Sequence, residues 1–523
     1  MRPRAPQGRR HRRGCWQTGT ARLLPRILAG RRSGPLFLTD RKAKSHVAVA
    51  DRESARSPTA RRLGRVHIPP LDLPREDRPG ASAGSLAFCC PSPTGMMGFR
   101  RYRRKWEPSA EEHAMNDIPP NEVGRRLREI RAWRGQSLEV VAGLAGISYG
   151  YLGRLERGEQ PLSNRATLEA IARALKVSPS EFNGQPWEIT DGPAAEAYAG
   201  LIAVENALEI CELGTDPGTD IREWAEIAED LAALEVVRES TDYAAACALA
   251  PGLLTELHAA YVRRPQWRRD VLVGIIRCYY ALAQTTKRLG VRGLPIMIVK
   301  AAYACAEELE SPAWIGFAVW LRGSIAGSLS RSQQYDRAVR TADRLRPHLD
   351  DGSALQAYGM LHLSAALAGA VQSDRDTADT HLAEAEAVAA RMDEEIGGFA
   401  RLWFGRTNVG MWRSSIGMEL GDGAGAVELA RGLPIESIPS PSRRANYYAE
   451  AGRTLLSEPK YRDKGLALLM KAEDIAPQQV RTDFFVREAI ADQLRTARRD
   501  AGGRNLRGLA WRLGIAPDLA PRN

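Results

Sequence analysis

The chain of 523 residues is long enough for several domains, and a composition of 44% hydrophobic and 26% charged residues is typical of a soluble protein. This composition excludes a wholly disordered chain and a chain made mainly of membrane spans. The formal charge of +11 is unevenly distributed, because residues 1–114 contain 25 basic and 9 acidic residues and the rest of the chain is slightly acidic. The net positive charge therefore describes one tail rather than the whole protein.

Residues 1–114 form a basic extension rich in Arg, Pro, Gly and Ser, without a sustained helical or strand period. We expect it to be disordered, because it cannot bury enough apolar surface to offset the entropy lost on ordering. Two interpretations stay open. The run of basic and aromatic residues at 100–106 fits an arm that binds DNA phosphates. The composition also fits sequence upstream of a true start at Met96, Met97 or Met115. We favour the second interpretation, because nothing in the segment resembles selected structure.

Cysteine usage and hydropathy indicate the cellular compartment. The seven cysteines form no C-x-x-C pair, so neither a disulfide framework nor a zinc site is predicted. No stretch approaches the roughly 18 apolar residues of a membrane span. We therefore expect a cytoplasmic protein that requires no metal, no cofactor and no membrane.

Residues 116–184 predict five short helices in an all-α domain. The first helix carries an apolar stripe, which consists of Val123, Leu127, Ile130 and Trp133. Ser137 is expected to cap a second helix that ends at Gly146, and Ser148 a third helix that ends at Gly158. Asn164 is expected to cap a fourth helix, and the run 178–181 has the form of a capping box for a fifth.

Helices two and three fit the helix-turn-helix pattern. Ala142 is small where the two helices must touch, Gly146 suits the sharp turn, and Val141, Ile147 and Leu152 are apolar at the inward positions. Together with the run 148–159, these residues make the segment 121–183 similar to the Cro/C1-type repressors, also called the xenobiotic-response-element (XRE) family. The resemblance implies a lambda-repressor-like fold of five helices that binds a double-stranded DNA operator.

The same resemblance assigns candidate DNA contacts to individual residues. It places Ser148, Tyr149, Gly150 and Arg154 on the side of the recognition helix that faces the major groove, with Arg157 near phosphate. Arg154 is the best candidate for bonding guanine. Many relatives carry Gln at the first position of helix two, where this chain has Leu138, so Ser137 and nearby amides are expected to hold the phosphate instead.

After a linker at 185–193, residues 194–523 show only helical periods. Four triplets of small and apolar residues recur at i, i+4 and i+7: Ala338/Ala342/Leu345, Ala378/Leu382/Ala385, Ala426/Ala430/Leu433 and Gly465/Leu469/Ala472. They predict an α-solenoid of degenerate hairpins, a tetratricopeptide-like helical-repeat domain. Packing of Ala-rich helix pairs in an ordinary bundle is the alternative.

One segment of this domain suggests a ligand site. Phe404, Asn408 and Trp412 are spaced i, i+4 and i+8, so they are predicted to share a helix face that binds a peptide or a small molecule. A core role for the same three residues is the competing interpretation.

Together these features predict a sequence-specific transcriptional regulator that binds DNA as a homodimer and is associated with the nucleoid when bound. Its helical-repeat domain would serve oligomerisation and effector sensing. No phosphate-binding loop or zinc-binding helix occurs, and the G-x-S-x-G match at 146–150 follows a helix rather than a strand, so we expect no enzyme activity. The alternative is a protein-interaction scaffold with weak or vestigial DNA binding.

Overall fold

Polar caps and glycines set the first helices of the chain. The computed structural model describes residues 122–182, 192–496 and 503–515, and the regular elements in these ranges are helices. The first four are α1 Glu122–Trp133, α2 Leu138–Ala145, α3 Tyr149–Arg157 and α4 Arg165–Leu175. The basic extension at 1–114 and most of the expected linker lie outside the described residues.

The predicted helix caps are confirmed. The hydroxyl oxygens of Ser137 and Ser148 accept the backbone N–H groups three residues ahead, at 3.2 Å each. The carboxamide oxygen of Asn164 accepts the N–H of Thr167 at 2.8 Å. Each of these bonds satisfies a donor that has no partner inside its own helix. The caps therefore fix where α2, α3 and α4 begin.

The core of this first domain follows the predicted stripes except at Trp133, and the fifth helix also differs from the prediction. Val123, Leu127 and Ile130 are buried, but the expectation that Trp133 continues their stripe is wrong. Its ring is 75% exposed and lies under the guanidinium of Arg134, because α1 ends there and the chain turns away from the core. The expected fifth helix appears in the described residues as a single 3-10 turn, Pro179–Phe182.

The rest of the described chain is also helical and begins at Gly192, two residues before the predicted boundary. Its helices are α5 Gly192–Ile210, α6 Trp224–Ser240, α7 Tyr243–Arg263, α8 Arg268–Arg288, α9 Leu294–Glu308, α10 Pro312–Ala326, α11 Arg331–Leu345, α12 Gly352–Val371, α13 Arg375–Ala390, α14 Arg406–Glu419, α15 Gly423–Glu428, α16 Pro441–Leu456, α17 Arg462–Ile475, α18 Pro477–Arg481, α19 Phe484–Thr496 and α20 Arg504–Arg512. Below, α5 to α20 are called the helical domain.

Neighbours in the helical domain pack in chain order. Most helices contact the next one or two along the chain, as in the pairs α8/α9, α12/α13 and α16/α17. The four small-residue triplets lie on the second helices of such pairs or just beyond their ends. Ala338, Ala378 and Ala426 are each at most 1% exposed, and Gly465 is buried where its backbone meets Gly452. Small side chains are needed there because the paired helices approach closely.

Segments that lie far apart along the helical domain also meet. α16 packs against α6, and the Arg401 guanidinium pairs with Glu235 at 2.6 Å and Glu239 at 2.8 Å. The Trp403 indole N–H donates to Glu239 at 2.7 Å. These contacts join segments more than 160 positions apart in the chain. The helical domain therefore closes partly on itself.

Two helices, α7 and α12, are long and apolar enough to cross a membrane by length and composition alone. Both also lie in the interior of the helical domain, since 67% and 94% of their most apolar windows are buried. A core helix of this length passes the same test, so burial by neighbouring helices accounts for their hydropathy.

One close approach between α12 and the segment before α14 yields a test of the packing. Gly359 lies against the ring of Phe404, and a Cβ at this position would clash with that ring. We expect Gly359→Ala to lower the free energy of unfolding by about 1–3 kcal/mol, because a buried ring must move. Gly252→Ala in α7 is the matched control: its Cβ would meet no atom within 4 Å, so the variant should be neutral or slightly stabilising. Equal thermal unfolding of the two variants would contradict this packing.

Candidate nucleic-acid interface

A tight turn holds α2 and α3 together. Gly146 ends α2 with φ +67, in the left-handed region that disfavours side chains, and the N–H of Ile147 bonds the Ala142 carbonyl at 3.0 Å. Ala142 is 2% exposed where the helices meet, and Val141 and Leu152 are fully buried. This arrangement is the helix-turn-helix geometry that the sequence predicts.

The opposite face of α3 is open to solvent. Ser148, Gly150 and Arg157 are exposed, and 61% of Tyr149 is accessible. Arg154 is half-buried on the same helix, where its Nε donates to the Gln160 side chain at 3.1 Å. Apolar side chains hold α3 from behind, so this face is free to meet a partner.

The glycine at position 150 gives the Arg154 side chain its path. One terminal nitrogen of Arg154 lies 3.4 Å from where a Cβ of Gly150 would be. The guanidinium therefore lies along the helix surface one turn back, beside Gly150. A side chain larger than Ala at position 150 would push it away from this position.

Charged residues at the end of α3 differ in their roles. The Glu156 carboxylate is buried and bonds the Arg131 guanidinium at 2.6 and 2.9 Å, which ties α3 to α1. The Glu156 carboxylate is therefore occupied by the contact between α3 and α1. Arg157 remains exposed but pairs with Glu159 at 2.6 and 2.9 Å, and this hydrogen bond raises the pKa of Arg157. A DNA phosphate would have to compete with that carboxylate.

Ser137 is exposed at the start of α2, beside Leu138, which is the first residue of the helix. Its hydroxyl oxygen accepts the Val140 N–H, which leaves the hydroxyl proton able to donate to an anion. The position matches the phosphate anchor that the sequence analysis assigns to Ser137, since helix N-termini attract negative charge.

The helical domain contacts the helix-turn-helix domain through α4 rather than through α3. Arg165, the first residue of α4, pairs with Glu450 at 2.7 Å and with Glu419, and Glu419 also accepts the Arg165 backbone N–H at 3.2 Å. Burial alone would raise the pKa of Glu450, but the nearby Arg165 and Arg453 guanidinium groups outweigh it and lower the pKa to about 2. Sequence reasoning did not find this contact, because its partners are more than 250 positions apart.

A second ion pair and an aromatic contact complete the docking. Arg331, the first residue of α11, bonds both carboxylate oxygens of Glu169 on α4, and both side chains are buried. Phe484 at the start of α19 joins the hydrophobic core of the helix-turn-helix domain, and Phe485 packs beside it. The two domains thus share core side chains as well as charges. This docking sets the orientation of α3 relative to the helical domain.

A buried carboxyl group lies at the same contact. Glu488 on α19 accepts the backbone N–H of Leu162, and one of its carboxylate oxygens has no partner among the described residues. Burial raises the pKa of Glu488 to about 7; Asp492 and Glu122 add to this effect, while Arg495 and the Leu162 N–H oppose it. The site favours the neutral acid.

The structure corrects part of the predicted ligand face. Phe404 lies before α14 rather than on it and has no exposed surface. Asn408 is also fully buried: its amide donates to the carbonyls of Leu402 and Trp403, and its oxygen accepts two bonds from Arg443. The prediction that the three residues share one open helix face is therefore wrong for Phe404 and Asn408, because the chain bends at Gly405 and packs inward. Trp412 alone faces a cavity.

Asn408 therefore gives a stability test. Asn408→Ala would leave two backbone carbonyls and the Arg443 guanidinium without their partner, so we expect the free energy of unfolding to fall by about 1–3 kcal/mol. Asn505→Ala, at an exposed position of α20, is the control and should change the melting temperature little. An unchanged melting temperature for Asn408→Ala would contradict these buried contacts and support the predicted open ligand face.

Glu488 gives a test in pH. The pKa of Glu488 is higher in the folded chain than in the unfolded chain, so protonation of Glu488 stabilises the fold. This stabilisation is complete below about pH 4.5 and is lost as the pH rises through about 7. Glu488→Gln imitates the neutral acid, so at pH 8 it should raise the free energy of unfolding by about 1–3 kcal/mol. The gain should shrink toward pH 5, whereas the exposed control Glu394→Gln should show no such trend. Denaturant unfolding across this range checks it, and parallel curves for both variants would refute it.

Comparison with known proteins agrees with this geometry over the first domain. A family model described as a helix-turn-helix domain matches residues 122–183. No curated protein and no solved structure matches the chain. Residues 122–183 are therefore a helix-turn-helix domain, the class of domain that suggests a DNA-binding regulator.

Proposed function

We propose that this protein is a sequence-specific transcriptional regulator whose recognition helix, α3, enters the major groove of an operator as part of a homodimer. The open face of α3 is the observation that carries the proposal. Its candidate contacts are accessible while the docking residues Arg165 and Glu169 lie on α4, away from that face. The helical domain therefore leaves room for DNA.

The side chains on this face have the chemistry of base contacts. The forked guanidinium of Arg154 matches the O6 and N7 acceptors of guanine. Tyr149 offers its ring to a thymine methyl group or its hydroxyl to phosphate, and Ser148 and Gly150 let the backbone approach the groove edge. Ser137 and Arg157 lie where phosphate contacts would fix the position of the domain on the duplex.

The modest charge of the domain supports the proposal of a dimer. Residues 121–184 contain 10 basic and 7 acidic residues, so a single copy has little non-specific attraction to DNA. Two copies on a two-fold axis would contact half-sites about 34–36 Å apart, which is one turn of the duplex.

We assign the helical domain to oligomerisation and effector sensing. The pairing of successive helices and the burial of the small-residue triplets support a tetratricopeptide-like solenoid. Under this proposal the protein acts in the cytoplasm, associates with the nucleoid when bound to DNA, and needs neither a cofactor nor catalytic chemistry.

Arg154→Ala tests base recognition. We expect the substitution to weaken binding to the selected operator by about 1–3 kcal/mol, because it removes a base contact, while binding to random duplex stays nearly unchanged. Arg431→Ala, at a position 78% exposed on the helical domain, controls for the loss of one positive charge. Fluorescence anisotropy with both duplexes measures the affinities. Equal losses of affinity for both duplexes would indicate that Arg154 contacts phosphate rather than a base.

The operator itself comes from selection of bound fragments from random duplex DNA. A shared motif with two half-sites supports a dimeric regulator. Recovery of no shared motif would overturn sequence-specific binding and leave the alternative of a protein-interaction scaffold.

A further inference from the structure

A cavity of about 660 Å³ lies between the helix-turn-helix domain and the helical domain. Residues of α4 and of the 3-10 turn Pro179–Phe182 form one wall, and α8, α10 and α16 contribute to the others. This volume is typical of sites for small molecules. Its position is unusual, because one wall belongs to the domain that carries α3.

The cavity wall is strongly basic. Eight basic residues line it, against Glu169 as the single acidic one. Six of the eight form ion pairs with carboxylates: Arg165, Arg238, Arg288, Arg292, Arg331 and Arg401. Among the described residues, Lys287 and Arg443 form no ion pair. Lys287 donates to the Ser324 carbonyl, and Arg443 donates to Asn408 and stacks on Trp412 at 4.5 Å.

Both cations that form no ion pair have lowered pKa values. Lys287 is exposed to solvent at the cavity wall, and desolvation by the nearby protein, together with the Arg288, Arg331 and Arg165 guanidinium groups, lowers its pKa. Burial lowers the pKa of Arg443 to about 10. An anion in the cavity would relieve both effects, because it would stabilise the charged form of each group.

Polar atoms without partners and aromatic rings occur on the same wall. The Trp412 indole N–H and the Thr241 hydroxyl are buried and have no hydrogen-bond partner within the described part of the chain. Trp320, Trp403 and Tyr280 add planar apolar surface. The wall can therefore donate hydrogen bonds to a polar group and stack against a ring.

We propose that this cavity between the two domains binds a small organic anion, one that carries a carboxylate or phosphate group on a planar apolar body. Lys287 and Arg443 bind the anionic group, and Trp412 donates to it or to a neighbouring acceptor. Because α4 forms part of the wall, the ligand binds the docked arrangement and favours it over any other. Its effect on DNA affinity rests on the function proposed above, whereas its binding does not.

The first experiment measures binding to the full chain without DNA. The probe is 8-anilinonaphthalene-1-sulfonate, and the comparison is N-phenyl-1-naphthylamine, which has the same rings without the charge. We expect one sulfonate per chain, and about tenfold weaker binding to Lys287→Gln, since one charge-assisted contact is lost. Lys300→Gln, an exposed lysine of α9 outside the cavity, should bind as the unaltered protein does.

A second variant distinguishes loss of the binding site from loss of folding. Trp412→Phe keeps a ring but removes the indole N–H, so it should also weaken the sulfonate and leave the neutral probe unaffected. The melting temperature of Lys287→Gln should change little, since Lys287 is exposed and forms no ion pair among the described residues. Equal affinities of the two probes, or unchanged sulfonate binding in both variants, would overturn the proposal.

Displacement of the sulfonate by phenyl phosphate or by benzoate shows which anionic group the cavity prefers. If neither compound displaces the sulfonate, the anion-site proposal is also overturned. Measurement of operator affinity with and without the bound probe then separates the two proposals. Failure of probe binding with a selected operator in hand refutes the anion site alone. Probe binding without any selected DNA motif refutes the proposed function alone.

Discussion

The placement of α3 depends on the docking of α4, in which the Arg165 guanidinium lies between two buried carboxylates. Without this cation, Glu450 would lose its ion pair and Glu419 would keep only Arg453, so buried negative charge would be partly uncompensated. Arg165 also begins α4, so one contact joins side-chain charge to the positive end of a helix. Since α4 packs on α2 and α2 on α3, the ion pairs at α4 contribute to the position of α3 from another side of its own domain.

Closure of the helical domain is what brings those carboxylates together with the basic wall. The contact of α6 with α16, reinforced by Arg401, brings together segments more than 160 positions apart in the chain. Glu450 on α16 and Lys287 on α8 thereby come to face the same docked domain. A cavity between two bodies can report on their relative position, because a ligand that touches both favours one arrangement. The proposed anion site and the proposed DNA-binding face thus depend on a single packing arrangement.

The limits of sequence reasoning are clearest at Phe404, Asn408 and Trp412. Helical spacing predicted a common face, but the chain bends at Gly405, so Phe404 packs under α12 and Asn408 bonds carbonyls of the bend itself. Helical spacing describes side-chain direction only where the helix continues, and Gly405 is the local residue that marks this break. The prediction that Trp133 is buried was wrong for a related reason: the apolar stripe of α1 continues to this residue, but the core ends before it.

The sequence by itself determined the helix-turn-helix domain, because caps at Ser137, Ser148 and Asn164 and the turn at Gly146 act through bonds within a few residues. It also indicated the helical class and the buried triplets, since the helical period is a local property. Only the tertiary structure decided which charges are buried, which wall is basic and where the two domains meet. Those features depend on contacts between residues hundreds of positions apart, and such pairs leave no periodic or short-range signal in one sequence.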